Sequence, residues 1–254
     1  MASCVHLEYW NSNMFNLAII VPIYNHTCQF KRFLPKLLEL ETPIILVDDG
    51  SSDASELKKL SDENGLRYVA NPKNMGKGSA FVLGLKKAKE LGYTHIFQID
   101  ADGQHSLKYF HLFKKIAQEN QSAVINGTPV YHNAPKSRYY GRKITNFWVK
   151  LEVPNARIDD AMCGFRIYPV EDTYKILSKL KFYRMGFDIE IIVRLARQNC
   201  EIINLPVDVD YPKNGASNFK VFRDNLFISA LHTMLCTEGI LNYLKKVLFV
   251  WKHQ

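Results

Sequence analysis

The sequence predicts an α/β protein whose central sheet is mostly parallel and covered by helices on both faces. Apolar runs alternate with segments of helical spacing through the first half of the chain, which indicates strand–helix units. The runs at 16–23 and 43–47 are apolar almost throughout, as expected of strands buried on both faces. With 254 residues, 47% hydrophobic and 23% charged, the chain is long enough to bury a large core.

The elements follow in order along the chain. The apolar runs predict strands at 16–23, 43–47, 66–70, 93–100 and 122–127. Helical spacing predicts helices at 27–40, from 53 to about 64, from the loop 71–80 to 91, and at 106–120. After 128 the pattern loosens, and we expect a helix at 136–150, a loop at 159–166 leading into a short strand, a helix at 187–197 and a strand at 201–211.

Composition limits the classes of partner and compartment. The net charge of +8 suits partners that carry phosphate, such as nucleotides, nucleic acid or an anionic membrane surface. Five cysteines form no CxxC pair, so we expect a reduced, cytoplasmic protein. The first residues show no pattern typical of a signal peptide, and no run of 18 apolar residues predicts a membrane span.

The strand at 93–100 ends in Asp100-Ala101-Asp102, followed by Gly103 in a turn. Two carboxylates one residue apart suit a Mg²⁺ or Mn²⁺ ion that also binds diphosphate oxygens. Taken alone, the same residues also fit a solvated turn. Asp48 and Asp49, and Tyr24 with Asn25, end two other strands of the predicted sheet. Because parallel strands end at one edge, all three clusters are expected to line a single crevice.

This crevice has the side chains that a nucleotide needs. Pro22 and Tyr24 can form a wall beside a base, and Asp48 or Asp49 can accept hydrogen bonds from a base or ribose. The loop 74–78 offers backbone N–H groups, and Lys77 offers a positive charge, for phosphate. Neither a Walker loop nor a GxGxxG fingerprint is present in the expected place.

Five motifs in this order and spacing resemble those of family 2 glycosyltransferases with the GT-A fold, over about residues 16–220. They are Val-Pro-Ile-Tyr-Asn at 21–25, Val-Asp-Asp-Gly-Ser-Ser-Asp at 47–53, Asn-Met-Gly-Lys-Gly-Ser-Ala at 74–80, Asp-Ala-Asp-Gly-Gln-His at 100–105 and Cys-Gly-Phe-Arg at 163–166. The resemblance is strongest to the branch of dolichol- or polyprenyl-phosphate mannose synthases. Segment 211–219 is similar to a bacterial subgroup often encoded with, or fused to, lipid acyltransferases of envelope-lipid pathways.

The resemblance implies a role for each matching residue. It assigns base and ribose contacts to Pro22, Tyr24, Asp48 and Asp49, and metal binding to Asp100 and Asp102, with Asp100 also beside the substrate. It assigns phosphate or acceptor contacts to Lys77 and Arg166, to which the basic Lys213 could add, and closure over the donor to the loop 214–217, which ends at Ser217. His26 departs from the family pattern, which usually has Glu there. It also implies one GT-A domain over 1–254, with a nucleotide-sugar half at about 16–128, an acceptor half at about 129–238 and an amphipathic tail at about 239–254.

The activity implied is transfer of a sugar, with inversion and with Mg²⁺ or Mn²⁺, from a UDP- or GDP-sugar to a lipid phosphate or lipid hydroxyl, in envelope lipid or polysaccharide synthesis. A hydroxyl acceptor needs a base, for which the candidates are Asp160, Asp188 and Glu190. The last two also fit acids that complement a helix dipole. We expect the basic, aromatic tail at 239–254 and the run 138–143 to contact the inner face of the cytoplasmic membrane, or else to pack on the sheet. A membrane or acyltransferase partner would suit this placement.

Other classes explain less of the sequence. A haloacid-dehalogenase phosphatase also places Asp-x-Asp after a strand, but Gln104 stands where that class has Thr or Val. A basic nucleic-acid-binding protein would fit the net charge but not the acidic strand ends, so we expect no nucleic acid partner. A catalytically degenerate nucleotide-binding protein remains the main alternative.

Overall fold

A computed structural model describes residues 14–131, 136–209 and 221–251 of the chain. The strands are β1 (Leu17–Ile23), β2 (Ile44–Asp48), β3 (Arg67–Ala70), β4 (His95–Gln98), β5 (Val124–Tyr131), β6 (Arg166–Pro169) and β7 (Ile202–Val209). The helices are α1 (Thr27–Leu38), α2 (Ala54–Glu63), α3 (Lys77–Glu90), α4 (Phe110–Glu119), α5 (Lys136–Glu152), α6 (Val170–Lys175), α7 (Phe187–Arg197) and α8 (Val221–Trp251). Short 3₁₀ turns cover Leu107–Tyr109 and Leu177–Lys179.

The seven strands form one sheet in the order β3-β2-β1-β4-β6-β5-β7. Strand β1 pairs in parallel with β2 and β4, β2 with β3, and β5 with β7. Only β6, between β4 and β5, is antiparallel to its neighbours in this sheet. The prediction of a mostly parallel sheet is confirmed, and β6 is the element that joins the two parts of the sheet.

Helices cover both faces of the sheet, as the sequence predicts. In β1, Leu17, Ile19 and Val21 point to a core with α1 and α4, whereas Ala18 and Ile20 point to a core with α3 and α7. This alternation follows from the two-residue period of a strand. It makes β1 apolar throughout because both of its faces are buried.

Two elements of the second half cross the boundaries expected between the donor half, the acceptor half and the tail. Strand β5 continues through residue 128, and helix α8 is continuous from Val221 to Trp251, across residue 239. The division into two halves and a tail stays a prediction. Helix α7 has the bounds that the sequence predicts.

Candidate active site

The polar ends of β1 and β2 meet at one edge of the sheet, as the parallel register requires. Ile23 lies opposite Asp48, so the chain beyond each strand enters the same crevice. Asn25, which has a positive φ of 53°, joins the two loops. Its backbone N–H donates to the Ser51 hydroxyl at 2.9 Å, and its side-chain oxygen accepts from the Ser52 backbone N–H at 2.9 Å. Tyr24 beside it is 38% exposed, and Pro22 is half-buried.

Asp48 has a structural position that the sequence reasoning did not foresee. Its carboxylate is fully buried and accepts hydrogen bonds from the Ser51 backbone N–H at 2.8 Å and the Tyr68 hydroxyl at 2.7 Å. Burial and the hydrogen bond to Asp48 raise the pKa of Tyr68, which keeps this donor protonated. The Asp48 side chain thus joins β2 to β3 through Tyr68, and its expected contact with a base or ribose stays a prediction.

The Asp49 carboxylate also accepts hydrogen bonds from other groups of the protein. Its buried carboxylate accepts from the backbone N–H groups of Met75 at 3.0 Å and Gly76 at 2.7 Å, and from the Asn71 amide at 2.8 Å. These bonds tether the loop 74–78 to the end of β2. The N–H groups of Met75 and Gly76 belong to the loop expected to bind phosphate, and that role of the loop stays a prediction.

The segment 183–187 closes the other side of the same loop. Gly78 donates its backbone N–H to the Tyr183 carbonyl at 2.9 Å, and the Arg184 guanidinium donates to the Asn74 side-chain oxygen at 2.8 Å. Gly76 has a φ of 102°, and a Cβ there would lie 2.3 Å from the Tyr183 carbonyl oxygen. Glycine is required at this position by both backbone conformation and contact.

Lys77, the first residue of α3, lies between two carboxylates. Its Nζ is 2.8 Å from Asp100 Oδ1 and 2.9 Å from Asp188 Oδ2. The Gln98 amide donates to the other Asp188 oxygen at 3.0 Å. Burial opposes ionisation of Lys77 and Asp100, but the two carboxylates raise the pKa of Lys77 and Lys77 lowers the pKa of Asp100. The cluster therefore brings one ammonium and two carboxyl groups together beside the loop 74–78.

Asp102 follows Asp100 by two residues and lies at the protein surface. Its Oδ1 accepts from the Gln104 backbone N–H at 3.0 Å, and the residue is exposed. Partial desolvation and the nearby Asp100 carboxylate raise the pKa of Asp102, which a bound cation would reverse. Two carboxylates with an open side fit Mg²⁺ or Mn²⁺, which keep water or phosphate oxygens as further ligands. Among the described residues, no cluster of three or more His, Cys, Asp or Glu side chains could hold a metal by itself.

Gly164 and His105, to which the sequence reasoning gave no role, lie in the segments around Asp100. A Cβ on Gly164 would lie 2.2 Å from Asp100 Oδ2, so the glycine is needed for the carboxylate to fit. The His105 ring stacks on Phe165 with 5.5 Å between centroids, and its Nε2 is 3.5 Å from Cys163 Sγ. Burial lowers the pKa of His105 to about 4, so the ring is neutral at physiological pH. Both residues belong to motifs that resemble those of the family, at 163–166 and 100–105, and this membership is the sequence signal that could have identified them.

Arg166, for which a phosphate or acceptor contact is predicted, binds groups inside the protein. The side chain is fully buried, and its guanidinium donates to Asn126 Oδ1 at 2.5 Å, to the Asp188 carbonyl at 2.7 Å and to the Asp160 carbonyl at 3.2 Å. Arg166 thus positions the backbone of Asp188 from behind. Nothing in the sequence distinguishes this buried arginine from one that binds phosphate.

Of the three candidate bases, Asp188 shares the Lys77 ammonium with Asp100. Asp160 is buried and binds both of its oxygens to the Arg142 guanidinium at 2.7 Å. Glu190 is fully buried and accepts from the Lys181 and Phe182 backbone N–H groups and from Arg194. All three carboxylates bind donors within the protein, and a base role for any of them stays a prediction. Lys213 and Ser217 lie outside the described residues.

Solved structures of low sequence identity share this fold. Glucosyl-3-phosphoglycerate synthase from Mycobacterium tuberculosis, in complex with phosphoglyceric acid, has a TM-score of 0.67 at 15% identity, covering 87% of this chain and 80% of that one. S. aureus TarS 1-349, in complex with UDP-GlcNAc, has a TM-score of 0.59 at 15% identity, covering 87% and 66%. The fold of the chain is therefore the GT-A fold.

Sequence comparison gives the family. The model of glycosyl transferase family 2 matches residues 18–186, and the chain belongs to that family. An uncharacterized protein of Methanocaldococcus jannaschii is 31% identical over 216 residues, covering 78% of this chain and 90% of the relative. A dolichyl-phosphate beta-glucosyltransferase of Dictyostelium discoideum is 26% identical over 218 residues, covering 76% of this chain and 65% of the relative. The chain thus spans just under two thirds of that relative.

Proposed function

We propose that this glycosyltransferase moves a sugar, with inversion and with Mg²⁺ or Mn²⁺, from a UDP- or GDP-sugar to a lipid acceptor at a membrane surface. The observation that carries the proposal is the Lys77–Asp100–Asp188 cluster beside the open carboxylate of Asp102. Carboxylates that could hold a metal, and a lysine that could bind phosphate, lie together there, which supports this proposal. The names of the relatives, which include UDP-GlcNAc and dolichyl-phosphate, support these two substrate classes.

The donor would lie between β1 and β4. Tyr24 and Pro22 offer the wall for a base, and Asp100 with Asp102 would hold the metal. The metal would neutralise the diphosphate leaving group. Lys77 adds positive charge next to the same place, provided that its ammonium exchanges one carboxylate partner for a phosphate oxygen.

The acceptor decides what Asp188 does. A lipid phosphate is already ionised and needs no base. A lipid hydroxyl would need one, and we favour Asp188 among the three candidates because it shares Lys77 with Asp100. In either case, Gln98 and Lys77 fix the orientation of Asp188, which a reacting group requires.

Helices α5 and α8 support a membrane location. Both carry large exposed apolar side chains, which a protein surface in water rarely groups together. They are Tyr140, Ile144, Phe147, Trp148 and Leu151 on α5 and Leu226, Phe227, Ile240, Leu241, Tyr243 and Leu244 on α8. Across the described segments, no helix has both the length and the apolar character to span a bilayer. We propose that these helices lie against the inner face of the cytoplasmic membrane, in the synthesis of an envelope lipid or polysaccharide.

The test is thermal stability with UDP- and GDP-sugars, each with and without Mn²⁺ or Mg²⁺. A ligand at about 100 times its dissociation constant stabilises the fold by about 2.7 kcal/mol. We expect a metal-dependent shift for one nucleotide, which Asp102→Asn abolishes and the exposed control Asp62→Asn retains. Equal shifts without metal would support a degenerate nucleotide-binding protein, and no shift with any nucleotide would refute the proposal.

A further inference from the structure

A groove of about 650 Å³ lies between α5 and α8, outside the crevice described above. Its walls include Tyr140, Ile144 and Trp148 from α5 and Ile228 and Ile240 from α8. Ile144 is 61% exposed, so much of this apolar surface is open to solvent. The volume falls in the range of small-molecule sites, which are concave and mostly apolar.

The floor of the groove holds a polar atom without a partner. His232 is 5% exposed, and its Nδ1 is 2.7 Å from Glu152 Oε1. The Trp148 ring stacks over it, with 6.2 Å between centroids. His232 Nε2 has no hydrogen-bond partner in the described part of the chain. Because a buried polar atom without a partner costs free energy, this nitrogen favours a ligand that brings a polar group.

The groove and the candidate reaction centre share one helix. On the side of α5 away from the groove, Arg142 binds Asp160, and Asn146 donates to the Asp159 carbonyl at 2.8 Å. That loop continues to Gly164, which contacts Asp100. A ligand in the groove would therefore lie about one helix diameter, roughly 10 Å, from the loop behind Asp100.

We propose that the α5/α8 groove binds the hydrocarbon chain of the lipid acceptor, with His232 Nε2 hydrogen-bonded to a polar group of that lipid. The proposal rests on the lipid acceptor of the proposed function. The groove is of a size to enclose a chain rather than a helix of a protein partner, and its walls continue into the exposed apolar side chains Leu226, Phe227 and Leu244. A lipid can then enter sideways from the membrane with its head directed towards α5.

Trp148 provides a reporter within the groove. In a protein with Trp10→Phe and Trp251→Phe, Trp148 is the only tryptophan of the chain. Dibromostearate, added below its micelle concentration, should quench Trp148 fluorescence in a saturable way. Ser229 lines the groove and Ala230 does not, although both are exposed on α8. We expect Ser229→Phe to weaken binding roughly tenfold by filling the groove, and Ala230→Phe to change it less than about twofold.

Two further measurements make the proposal falsifiable. Ile144→Ala, at an exposed position that costs little stability, should also weaken dibromostearate binding several-fold. An alcohol with the same brominated chain should bind more tightly than its methyl ether in the wild type, because its O–H can donate to His232 Nε2 while Nδ1–H donates to Glu152. His232→Leu should remove that preference. Unsaturable quenching, or equal affinity in Ser229→Phe and the wild type, would overturn the proposal. A dimer in light scattering that disappears in Ser229→Phe would also overturn it, because a second copy would then cover the groove.

The outcomes for the groove and for the proposed reaction are separable. If nucleotide sugars stabilise the protein but dibromostearate does not bind, the groove proposal fails and the transferase proposal stands. If dibromostearate binds and no nucleotide does, the groove is a lipid site of a protein whose proposed reaction is wrong.

Discussion

Lys77 occupies the place beside Asp100 where a divalent cation would be expected. Its ammonium forms ion pairs with both Asp100 and Asp188, at 2.8 and 2.9 Å. Under the proposed function, a metal that binds Asp100 would share that carboxylate with Lys77 or displace the lysine. The displaced lysine would then be available to a phosphate oxygen, so the ion pair would couple metal binding to donor binding.

Replacing Lys77 by Ala should tighten Mn²⁺ binding to the nucleotide-free protein by roughly tenfold or more, because a unit positive charge close to the ion is removed. The same change should weaken binding of a nucleoside diphosphate. Titration calorimetry with Mn²⁺ and with UDP or GDP measures both effects. The control is Lys73→Ala, at an exposed lysine just before the loop 74–78, which should change neither the Mn²⁺ affinity nor the nucleotide affinity. Unchanged Mn²⁺ affinity in Lys77→Ala would show that the metal does not meet Asp100.

Arg166, unlike Lys77, supports the site from within the core, and its replacement tests this structural role. Arg166→Met should lower the free energy of unfolding by about 3 kcal/mol or more, since Asn126 Oδ1 and two backbone carbonyls lose a donor. Urea unfolding measures this, with the exposed Arg157→Met as the control. In protein that remains folded, nucleotide affinity should change less than about twofold. A loss of more than about tenfold would restore the phosphate contact that the sequence suggested.

At the scale of elements, the loop 74–78 is a rigid part of the site. Asp49 binds it from the end of β2, and the segment 183–187 binds it from the start of α7. The N-terminus of α3, and with it Lys77, is thereby fixed relative to the end of β2 and the start of α7. Tight fixing of this kind is what positions a charged group for catalysis.

Gly76→Ala should destabilise the fold by more than about 2 kcal/mol, because it adds a steric clash with Tyr183 to the cost of a positive φ. Gly92→Ala is the matched control: Gly92 has a φ of 77°, with nothing within 4 Å of an added Cβ. It should cost only about 1 kcal/mol, the conformational part alone. Chemical unfolding of the two variants measures the difference. Equal costs would mean that the contact between the loop and Tyr183 is loose.

The elements themselves were largely predictable from sequence, whereas their side-chain partners were not. β1 and α7 have the predicted positions because apolar periodicity is a local signal. The roles of Asp48, Asp49 and Glu190 could not be predicted, because which face of an element is buried, and which amides lie opposite, depends on contacts far along the chain. Strand β6 was expected as a strand, but its place between β4 and β5 has no local signal.

At the scale of the whole molecule, helices α5 and α8 carry most of the large apolar side chains exposed in the described part of the chain. Replacing Phe147 and Leu241 together by Ser should reduce binding to anionic vesicles by roughly tenfold or more, because two large exposed side chains leave the lipid surface. Co-sedimentation with phosphatidylglycerol vesicles measures the partition. The control replaces Leu38 and Leu112, exposed on α1 and α4, by Ser and should have no effect. Equal losses in both double variants would argue against a membrane face on α5 and α8.

The antiparallel strand β6 affects the order in which the chain can fold during synthesis. β4 is complete at Gln98, but its second neighbour, β6, begins only at Arg166. While the ribosome adds the residues in between, β4 has one open edge, and such an edge can pair with other chains. We expect the nascent protein to need protection from aggregation over this interval, and a fragment that ends before β6 to aggregate where the complete chain does not.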